Sequence, residues 1–297
     1  MKIILFGSSG QLGLSFMKKV PKKFEIITPL RSEIDLSIED EIEKFIVQHN
    51  PKIILNFAAF TDVDKAETHQ KLAFNINARA PSIISSCAKK IGAIFVHIST
   101  DYVYKDFKNQ CLVEESEIKP KNIYGKSKAL GEKLIKENCK KFIILRTSWL
   151  YSNQKKNFFT TISKLIKTKD CIKVVNDQIG SPTLVDDLVD GVLIILNFLL
   201  KEKLNNKNSN KVWGIYNLSS SGETSWYKFA SLIADKMGYN SKSKIIPINS
   251  KDFSAVADRP LNSRLDNSKV FNIFGIKLPN WEDSFNNFFK NNIKEFK

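Results

Sequence analysis

The amino-acid sequence predicts an α/β protein in which a doubly wound parallel sheet is followed by a smaller C-terminal α+β lobe. Two observations carry this prediction. Short apolar, β-branched runs alternate with longer helical patterns through the first half of the chain, as in βαβ units. A glycine-rich turn joins the first run to the first helical pattern. We predict a first domain at 1–150, to which parts of 172–220 return, and a second lobe at 151–297.

Each strand of the sheet is predicted from one apolar run. The five runs of the first half are Lys2–Phe6, Phe24–Thr28, Lys52–Asn56, Ala93–Ile98 and Phe142–Arg146. The helical patterns between them are Leu12–Val20, Ile38–His49, Gln70–Ile91 and Lys126–Asn138. Right-handed crossovers place such helices on both faces of the sheet. After residue 150 the pattern is mixed, with helices at Asn157–Thr168, Leu184–Leu200 and Trp226–Met237 and strands at Ile172–Val175 and Gly214–Leu218.

Composition excludes several classes of protein. The 297 residues are 42% hydrophobic, but no run approaches the ~18 apolar residues of a membrane span, and no signal-peptide pattern opens the chain. We therefore expect a cytoplasmic protein with no membrane partner. Its four cysteines are widely spaced and it has three histidines, which argues against a zinc cluster or a disulfide framework.

The net charge of +15 invites a nucleic-acid interpretation. Recognition of phosphates and bases relies on the bidentate guanidinium of arginine. Here five of the 46 basic residues are arginines, and the 41 lysines are spread through the whole chain, so we expect no nucleic-acid partner. The densest Lys/Asn stretch, Lys201–Lys211, is predicted as a solvated loop that contains a linker-like segment, Lys203–Lys211.

The glycine-rich turn is a Gly-x-x-Gly-x-x-Gly motif formed by Gly7, Gly10 and Gly13. The first glycine permits a tight turn, the second lets a pyrophosphate approach the backbone, and the third allows close packing of helix and strand. The N-terminus of the following helix, at Gln11 and Leu12, faces the anion. The first domain is therefore predicted to be Rossmann-like and to bind a dinucleotide. We predict the second lobe to be the substrate-binding lobe.

The segment after the second strand bears on which dinucleotide is bound. A carboxylate there accepts hydrogen bonds from the ribose hydroxyls and repels a 2′-phosphate. The segment Thr28–Ser32 has no carboxylate, so we expect NADPH to be used at least as well as NADH, with Arg31 on the 2′-phosphate. Alternatively, Glu33 turns inward and takes the ribose. Asp35 and Leu36 are predicted to hold the adenine.

A Tyr-x-x-x-Lys pair is a candidate for proton donation to a ketone. The chain has three such pairs, Tyr104/Lys108, Tyr124/Lys128 and Tyr151/Lys155. Only Tyr124 and Lys128 open a long helical pattern, where residues i and i+4 share one face. The other two pairs are predicted to lie in polar loops, so we favour Tyr124 and Lys128.

The chemistry of a ketone reduction explains this choice. A hydride arrives on carbon, charge develops on oxygen, and a phenol protonates it. The ammonium of Lys128 and a positive nicotinamide are expected to lower the pKa of Tyr124 toward the working range. Thr100 follows the fourth strand at the carboxyl edge of the sheet and is expected to bind the substrate carbonyl or the Tyr124 hydroxyl. Its alternative role is to cap its own backbone.

Several motifs together identify the chain as a member of the extended short-chain dehydrogenase/reductases, and among them it most resembles the dTDP-4-dehydrorhamnose reductase branch. Besides the glycine turn, the motifs are Asn56–Thr61, Ser99–Tyr104, Tyr124–Lys128, Arg146–Tyr151, Asn176–Thr183 and Arg259–Leu265. The resemblance covers nearly the whole chain. It implies NADPH- or NADH-dependent reduction of the C4 ketone of dTDP-4-dehydro-6-deoxy-L-mannose to dTDP-L-rhamnose.

The resemblance also implies roles for single residues. Tyr124 becomes the proton donor, Lys128 its partner and the ribose anchor, and Thr100 a residue that tunes the site. Asp101 and Trp149 match positions that touch the sugar. The run after the third strand is expected to contact the cofactor through Ala58, Ala59, Phe60 and Thr61.

Some points stay open. Certain members of the family bind magnesium at a dimer contact through a Glu two residues after the third glycine. Here that residue is Ser15, which offers no carboxylate to magnesium, so we expect a monomer or homodimer without a metal. A different nucleotide-linked 4-keto-6-deoxy sugar is an alternative substrate. A non-catalytic subunit resembling the β subunit of methionine adenosyltransferase is an alternative function, against which Thr100 and Trp149 argue.

Overall fold

The computed structural model of the chain describes residues 1–107, 110–201 and 212–296. In this part of the chain the strands are β1 (Lys2–Phe6), β2 (Glu25–Ile27), β3 (Ile53–Asn56), β4 (Ile94–Thr100), β5 (Phe142–Thr147), β6 (Leu150–Tyr151), β7 (Ile172–Val175), β8 (Ile179–Gly180), β9 (Thr183–Leu184), β10 (Gly214–Asn217), β11 (Thr224–Ser225), β12 (Ile245–Ile248) and β13 (Asn262–Ser263). The α-helices are α1 (Gln11–Lys19), α2 (Glu39–His49), α3 (Val63–Thr68), α4 (Gln70–Phe74), α5 (Ala80–Ile91), α6 (Ile123–Asn138), α7 (Phe158–Thr168), α8 (Val185–Lys201), α9 (Trp226–Lys236), α10 (Ser241–Lys244), α11 (Ser268–Phe274) and α12 (Trp281–Phe296).

Six strands form the central sheet in the order β10-β5-β4-β3-β1-β2, and every neighbouring pair is parallel. From β1 the chain moves outward to β2 and then crosses back to β3, on the other side of β1. The carboxyl ends of β1 and β3 therefore lie at a topological switch point, where open parallel sheets bind ligands. The predicted fold class, a doubly wound parallel sheet, is confirmed.

Helices cover both faces of this sheet because residues along a buried strand alternate between the faces. In β1, Ile3 and Leu5 belong to one apolar cluster, with residues of α1 and α8, whereas Ile4 and Phe6 belong to another, with residues of α2, α5 and α6. All four side chains are at most 2% exposed. Burying each contributes about 1.5–3 kcal/mol, so the two clusters fix the strand that ends in the glycine turn.

A third apolar cluster, formed by residues that follow position 150, is aromatic. Helices α7, α9 and α12 pack around Tyr151 through Phe159, Phe229, Phe285 and Phe288, with ring centroids 5.3–6.4 Å from that of the tyrosine. Small sheets complete this region, in the orders β11-β8-β13 and β12-β7. Ser152 and Asn157, at the start of this region, bond to Gln11 after β1, so the region reaches the carboxyl edge of the central sheet.

The predicted elements of the first half are confirmed, with ends that shift by a few residues. The predicted helix Gln70–Ile91 consists of α4 and α5 with a π-helical turn, Asn75–Arg79, between them. The helices α3, α10, α11 and α12 and the short strands after residue 150 were not predicted from the sequence. The boundary at residue 150 stays a prediction. Of the predicted loop Lys201–Lys211, only the end of α8 at Lys201 lies inside the described residues, and Lys203–Lys211 lies outside them.

Within the described ranges, no helix combines the length and the apolar character that crossing a membrane requires.

Candidate active site

A cavity of about 700 Å³ lies at the carboxyl edge of the central sheet. The glycine turn, the ends of β3 and β4, the start of α6 and the segment after β5 all contribute to its wall. The predicted site residues among its lining are Gly7, Gly10, Gln11, Leu12, Arg31, Asp35, Leu36, Ala58, Ala59, Phe60, Thr61, Thr100, Asp101, Tyr124, Lys128 and Trp149. A second cavity, of about 500 Å³ and lined by Arg264 and Phe271, contains none of them.

The glycine turn has the geometry that its spacing predicts. Gly7 has a φ of +85°, and a Cβ on it would lie 2.5 Å from the Ala58 nitrogen. A Cβ on Gly13 would lie 2.3 Å from the Gly7 oxygen, so α1 packs directly on the turn. At Gly10 a Cβ would meet only that oxygen, at 3.4 Å, and Gly10 caps α1 without a side-chain hydrogen bond. Backbone N–H groups at the start of α1 therefore face the cavity with room for an anion.

Gln11 has an additional contact that the sequence analysis missed. Its side-chain oxygen accepts a hydrogen bond of 3.1 Å from the Ser152 hydroxyl, in the segment after β6. The first residue of α1 thus ties the glycine turn to the second lobe.

The segment after β2 lies at one end of the cavity. Arg31 is exposed and lines it, as do Asp35 and Leu36. The Glu33 carboxylate accepts a hydrogen bond of 2.7 Å from the Leu30 backbone, which holds it on its own turn. Hydrogen bonds from Ser37, with a smaller contribution from the charge of Arg31, lower the pKa of Asp35. The inward position of Glu33, the alternative in the sequence analysis, is not the one adopted here.

Two buried asparagines shape the run Ala58–Thr61. The side-chain oxygen of Asn56 accepts a hydrogen bond of 3.1 Å from the Ala58 N–H. Asn77, in the π-helical turn, accepts from the Phe60 N–H at 2.8 Å and donates to the Phe60 oxygen at 3.0 Å. Asn77 was missed, since an asparagine inside a helical pattern carries no functional signal by itself.

Tyr124 and Lys128 lie one turn apart on α6 and both line the cavity. The helix begins after Asn122, whose side chain accepts a hydrogen bond of 2.8 Å from the Gly125 N–H. This cap puts Tyr124 in the first turn, where its ring packs against Tyr102 with the centroids 5.7 Å apart. The helical placement of the pair agrees with the sequence analysis.

The electrostatics of Tyr124 differ from the expectation. Burial raises the pKa of its phenol to about 12, and the charge of Asp101 adds to this. A hydrogen bond with the Thr100 side chain offsets part of the shift. The groups of the protein therefore raise this pKa, whereas the sequence analysis expected the ammonium of Lys128 to lower it. The reason is that the phenol, enclosed in the wall of the cavity, loses more hydration on ionising than its neighbours return.

Lys128 is 1% exposed. Its Nζ donates a hydrogen bond of 2.6 Å to the Ile98 oxygen and lies 3.0 Å from Nε2 of His97. Burial lowers the pKa of Lys128 to about 7, against the opposing charge of Glu132. His97 was not singled out from the sequence, because a histidine inside an apolar strand is typical of a core residue.

Thr100 and Asp101 end β4 beside Tyr124. The Thr100 hydroxyl accepts a hydrogen bond of 3.2 Å from the Tyr102 N–H and donates one of 3.1 Å to Oδ1 of Asp101. Thr100 thus caps its own backbone and also contacts the phenol, so both roles considered from the sequence occur together. Burial raises the pKa of Asp101 to about 7, and its Oδ2 is buried without a partner among the described residues.

Trp149 forms the wall at the other end of the cavity. Its ring stacks on that of Trp226 with the centroids 3.6 Å apart, and Phe158 packs on the far side of Trp226 at 4.2 Å. A Cβ on Gly180 would lie 2.7 Å from the Trp149 ring. Trp149 has a φ of +51°, which side chains rarely adopt. Trp226 and Gly180 were missed, because distant segments bring them here.

The other two Tyr-x-x-x-Lys pairs do not place a phenol in the cavity. Tyr104 is 2% exposed and donates a hydrogen bond of 2.7 Å to Asn217. Tyr151 is fully buried in β6. Tyr151 thus lies in a strand rather than in a loop, and the polar surroundings predicted for both rings are wrong, since both belong to apolar clusters. Lys155 lines the cavity, whereas Lys108 lies outside the described residues.

Ser15, the residue that bears on magnesium, is buried and its hydroxyl donates a hydrogen bond to Asp186 of α8. Among the residues that the structure describes, no three His, Cys, Asp or Glu side chains are grouped so that they could hold a metal ion.

Comparisons with known proteins identify the family of the chain. The dTDP-4-dehydrorhamnose reductase of Sinorhizobium fredii is 35% identical over 96% of this chain and 95% of its own. The solved structure of a dTDP-4-dehydrorhamnose reductase from Clostridium acetobutylicum has a TM-score of 0.89 at 33% identity, over 98% of this chain and 99% of its own. That of the Bacillus anthracis dTDP-4-dehydrorhamnose reductase, in complex with NADP, has a TM-score of 0.87 at 32% identity, over the same shares. The family model described as RmlD substrate binding domain matches residues 1–293, and the chain therefore belongs to that family.

Proposed function

We propose that the chain reduces the C4 ketone of dTDP-4-dehydro-6-deoxy-L-mannose to dTDP-L-rhamnose with NADPH. The observation that carries the proposal is the position of Tyr124 and Lys128, which line the same cavity as the glycine turn. A ketone reduction requires a dinucleotide-binding site and a proton donor that line the same cavity. Family membership narrows the ketone to that of a nucleotide sugar.

The residues of the cofactor end fit a dinucleotide. Gly10 leaves the backbone open where a pyrophosphate approaches, and the start of α1 offers N–H groups to it. We assign the adenine to Asp35 and Leu36, and the nicotinamide side to the run Ala58–Thr61. Arg31 favours NADPH, because its charge suits a 2′-phosphate while Glu33 is held on its own turn.

When bound, the nicotinamide supplies the hydride. Tyr124 supplies the proton: its raised pKa keeps the phenol protonated until negative charge develops on the substrate oxygen. Thr100, whose own proton bonds Oδ1 of Asp101, accepts the hydrogen bond of the phenol and so positions it in the wall of the cavity. The positive form of Lys128, one turn along α6, stabilises the phenolate that remains.

We assign the sugar to the end of the cavity formed by Asp101 and Trp149. Oδ2 of Asp101 is free of protein partners among the described residues and can bond a sugar hydroxyl. The Trp149 ring, fixed by Trp226, offers an apolar wall beside it. Neither feature distinguishes one nucleobase from another. The assignment of dTDP as the nucleotide therefore rests on family membership and not on the geometry of the site.

The proposal extends to the state of the protein. We propose a cytoplasmic enzyme that acts as a monomer or homodimer without a divalent metal, with a nucleotide sugar as its partner. Cys87, Cys111, Cys139 and Cys171 are free, as in a reducing compartment.

The test is an absorbance assay at the NADPH band with enzymatically prepared dTDP-4-dehydro-6-deoxy-L-mannose. We expect NADPH oxidation that depends on the sugar, and dTDP-L-rhamnose as the product. Equal rates with a UDP-linked 4-keto-6-deoxy sugar would contradict the assignment of the nucleotide. Cofactor binding without turnover of any 4-keto sugar would instead support a non-catalytic subunit.

A further inference from the structure

His97 is a buried histidine that the proposed reaction does not use. It lies in β4, three residues before Thr100, and is 0% exposed. In the sheet it stands opposite Asn56 of β3. Its ring has a polar neighbour on each nitrogen: Nδ2 of Asn56 is 3.2 Å from Nδ1, and Nζ of Lys128 is 3.0 Å from Nε2.

The direction of these hydrogen bonds follows from the Asn56 carboxamide. Its oxygen accepts from the Ala58 N–H, so its NH₂ group faces His97. An NH₂ group only donates, and Nδ1 must therefore accept. Burial lowers the pKa of His97 well below its ordinary value, so the ring is neutral and carries its one proton on Nε2.

An Nε2–H group facing Lys128 needs an acceptor. An ammonium has three donors and no acceptor, whereas a neutral amine has one lone pair. With the lysine as an amine, these groups form a row of hydrogen bonds in which every donor has an acceptor. In this row, Ala58 N–H donates to Asn56, Asn56 to His97, His97 to Lys128, and Lys128 to the Ile98 oxygen. With an ammonium, two donors would face each other at one end of the ring.

We infer that His97 is a positioning residue for Lys128: with Asn56 it presents an Nε2–H donor that the lysine accepts as a neutral amine. The row thus connects the run Ala58–Thr61 at the cofactor end to the lysine beside Tyr124. It favours the amine over the ammonium and so sets the pH above which the site loses its positive charge. This consequence for the rate rests on the proposed function, whereas the hydrogen bonds do not.

Other groups near Lys128 act on the same equilibrium. The titratable and charged groups on the elements packed around it are Tyr124 and Glu132 on α6, His97 on β4, Asp101 after β4 and Arg146 on β5. Glu132 favours the ammonium, but its carboxylate is bonded to Arg146 at 2.6 Å and to the Ser99 hydroxyl. Glu132 therefore acts on Lys128 through its charge alone, whereas His97 is the side chain hydrogen-bonded to Nζ and distinguishes amine from ammonium by direct contact.

The first experiment determines the tautomer of His97 in the full-length protein by ¹⁵N NMR of the imidazoles at neutral pH. The chain has three histidines, so His49→Gln and His69→Gln variants assign the signals. We expect a neutral ring with the proton on Nε2. A proton on Nδ1, or an imidazolium, would overturn the inference, and neither result depends on catalytic activity.

The second experiment uses Asn56→Asp to reverse the direction of the two hydrogen bonds that His97 makes. One carboxylate oxygen can still accept from the Ala58 N–H, while the other accepts from Nδ1–H, so Nε2 becomes an acceptor for an ammonium. We expect the His97 proton to move to Nδ1. Because the ammonium of Lys128 is then stabilised, the pH at which turnover falls on the alkaline side should rise by about one unit. Asn138→Asp, the same change at the far end of α6, is the control and should not shift it.

The two readouts separate the possible failures. A moved proton with an unchanged pH profile would overturn the coupling between His97 and Lys128. If the wild-type protein oxidises no NADPH with the keto sugar, the proposed function fails, while the tautomer still decides the hydrogen bonds. A thermal melt of each variant excludes loss of folding as the cause.

Discussion

The glycine-turn end of the cavity is built from backbone, whereas the tryptophan end is built from side chains of distant segments. At the first end, Gly7, Gly10 and Gly13 meet their surroundings through main-chain atoms and lie within seven residues. At the second, Trp149 depends on Trp226 and Gly180, which follow it by tens of residues. Backbone requirements impose a residue type at a fixed spacing, but side-chain packing across segments does not. A motif can therefore locate the first end and not the second.

Tyr124 lies where the two ends meet, and its loss should have the largest effect. Tyr124→Phe removes the proton donor and keeps the ring that packs on Tyr102, so we expect turnover to fall by ~10²–10⁴ with cofactor binding almost intact. Rapid kinetics and fluorescence titration with NADPH measure the two. Tyr151→Phe is the control, and equal damage there would show that the wrong tyrosine was assigned.

The glycine-turn end of the cavity should be disrupted by a substitution at Gly13. In Gly13→Ala the new Cβ would clash with the Gly7 oxygen, so we expect a loss of about 1–3 kcal/mol in the free energy of unfolding together with weaker cofactor binding. Gly10→Ala has room for its Cβ and should weaken the cofactor without the loss of stability. Denaturant melts and NADPH titrations compare the pair. Equal stability of the two variants would mean that the turn tolerates side chains.

A substitution at the tryptophan end of the cavity should change the affinity for the substrate. Trp149→Ala removes part of the cavity wall to which we assign the sugar, and we expect KM for the sugar nucleotide to rise about tenfold, the effect of ~1.4 kcal/mol of binding. Trp281→Phe, in the aromatic core and away from the cavity, should lower the melting temperature without raising KM. The opposite pattern, a large fall in melting temperature for Trp149→Ala with an unchanged KM, would make Trp149 a core residue.

A substitution at Arg31 tests whether one exposed side chain contributes to cofactor binding in addition to the backbone of the glycine turn. Arg31→Ala should lower kcat/KM with NADPH by about tenfold and leave the value with NADH unchanged, because a charge-assisted bond to a 2′-phosphate is lost. Glu33→Gln is the matched control and should alter neither value, since the Glu33 side chain is bonded to its own turn. A preference of the wild-type protein for NADH would contradict the role of Arg31.

The smallest effect is expected from a chelator. Because Ser15 is bonded to Asp186 and carries no charge, treatment with EDTA should leave the rate unchanged. Loss of activity in EDTA that magnesium restores would refute this expectation.

The sequence predicted the parallel sheet and the helix bearing Tyr124 because both follow from local periodicity. It failed where the fold, rather than the local pattern, decides. Tyr104 and Tyr151 stand among polar residues in the sequence, yet both are core residues, the first against Arg146 and the second among phenylalanines. The direction of the pKa shift of Tyr124 depends on burial, which spacing along a helix cannot reveal. His97 and Trp226 become functional candidates only through their contacts.

The central claim is that this chain transfers a hydride to a sugar ketone that Tyr124 protonates. Its most direct test uses NADPH deuterated at C4 of the nicotinamide, enzymatically prepared dTDP-4-dehydro-6-deoxy-L-mannose and mass spectrometry of the product. We expect dTDP-L-rhamnose with one deuterium, on C4 of the sugar, from the wild-type protein and almost none from Tyr124→Phe over the same time. Product without deuterium, deuterium at another carbon, or equal yields from both proteins would contradict the claim.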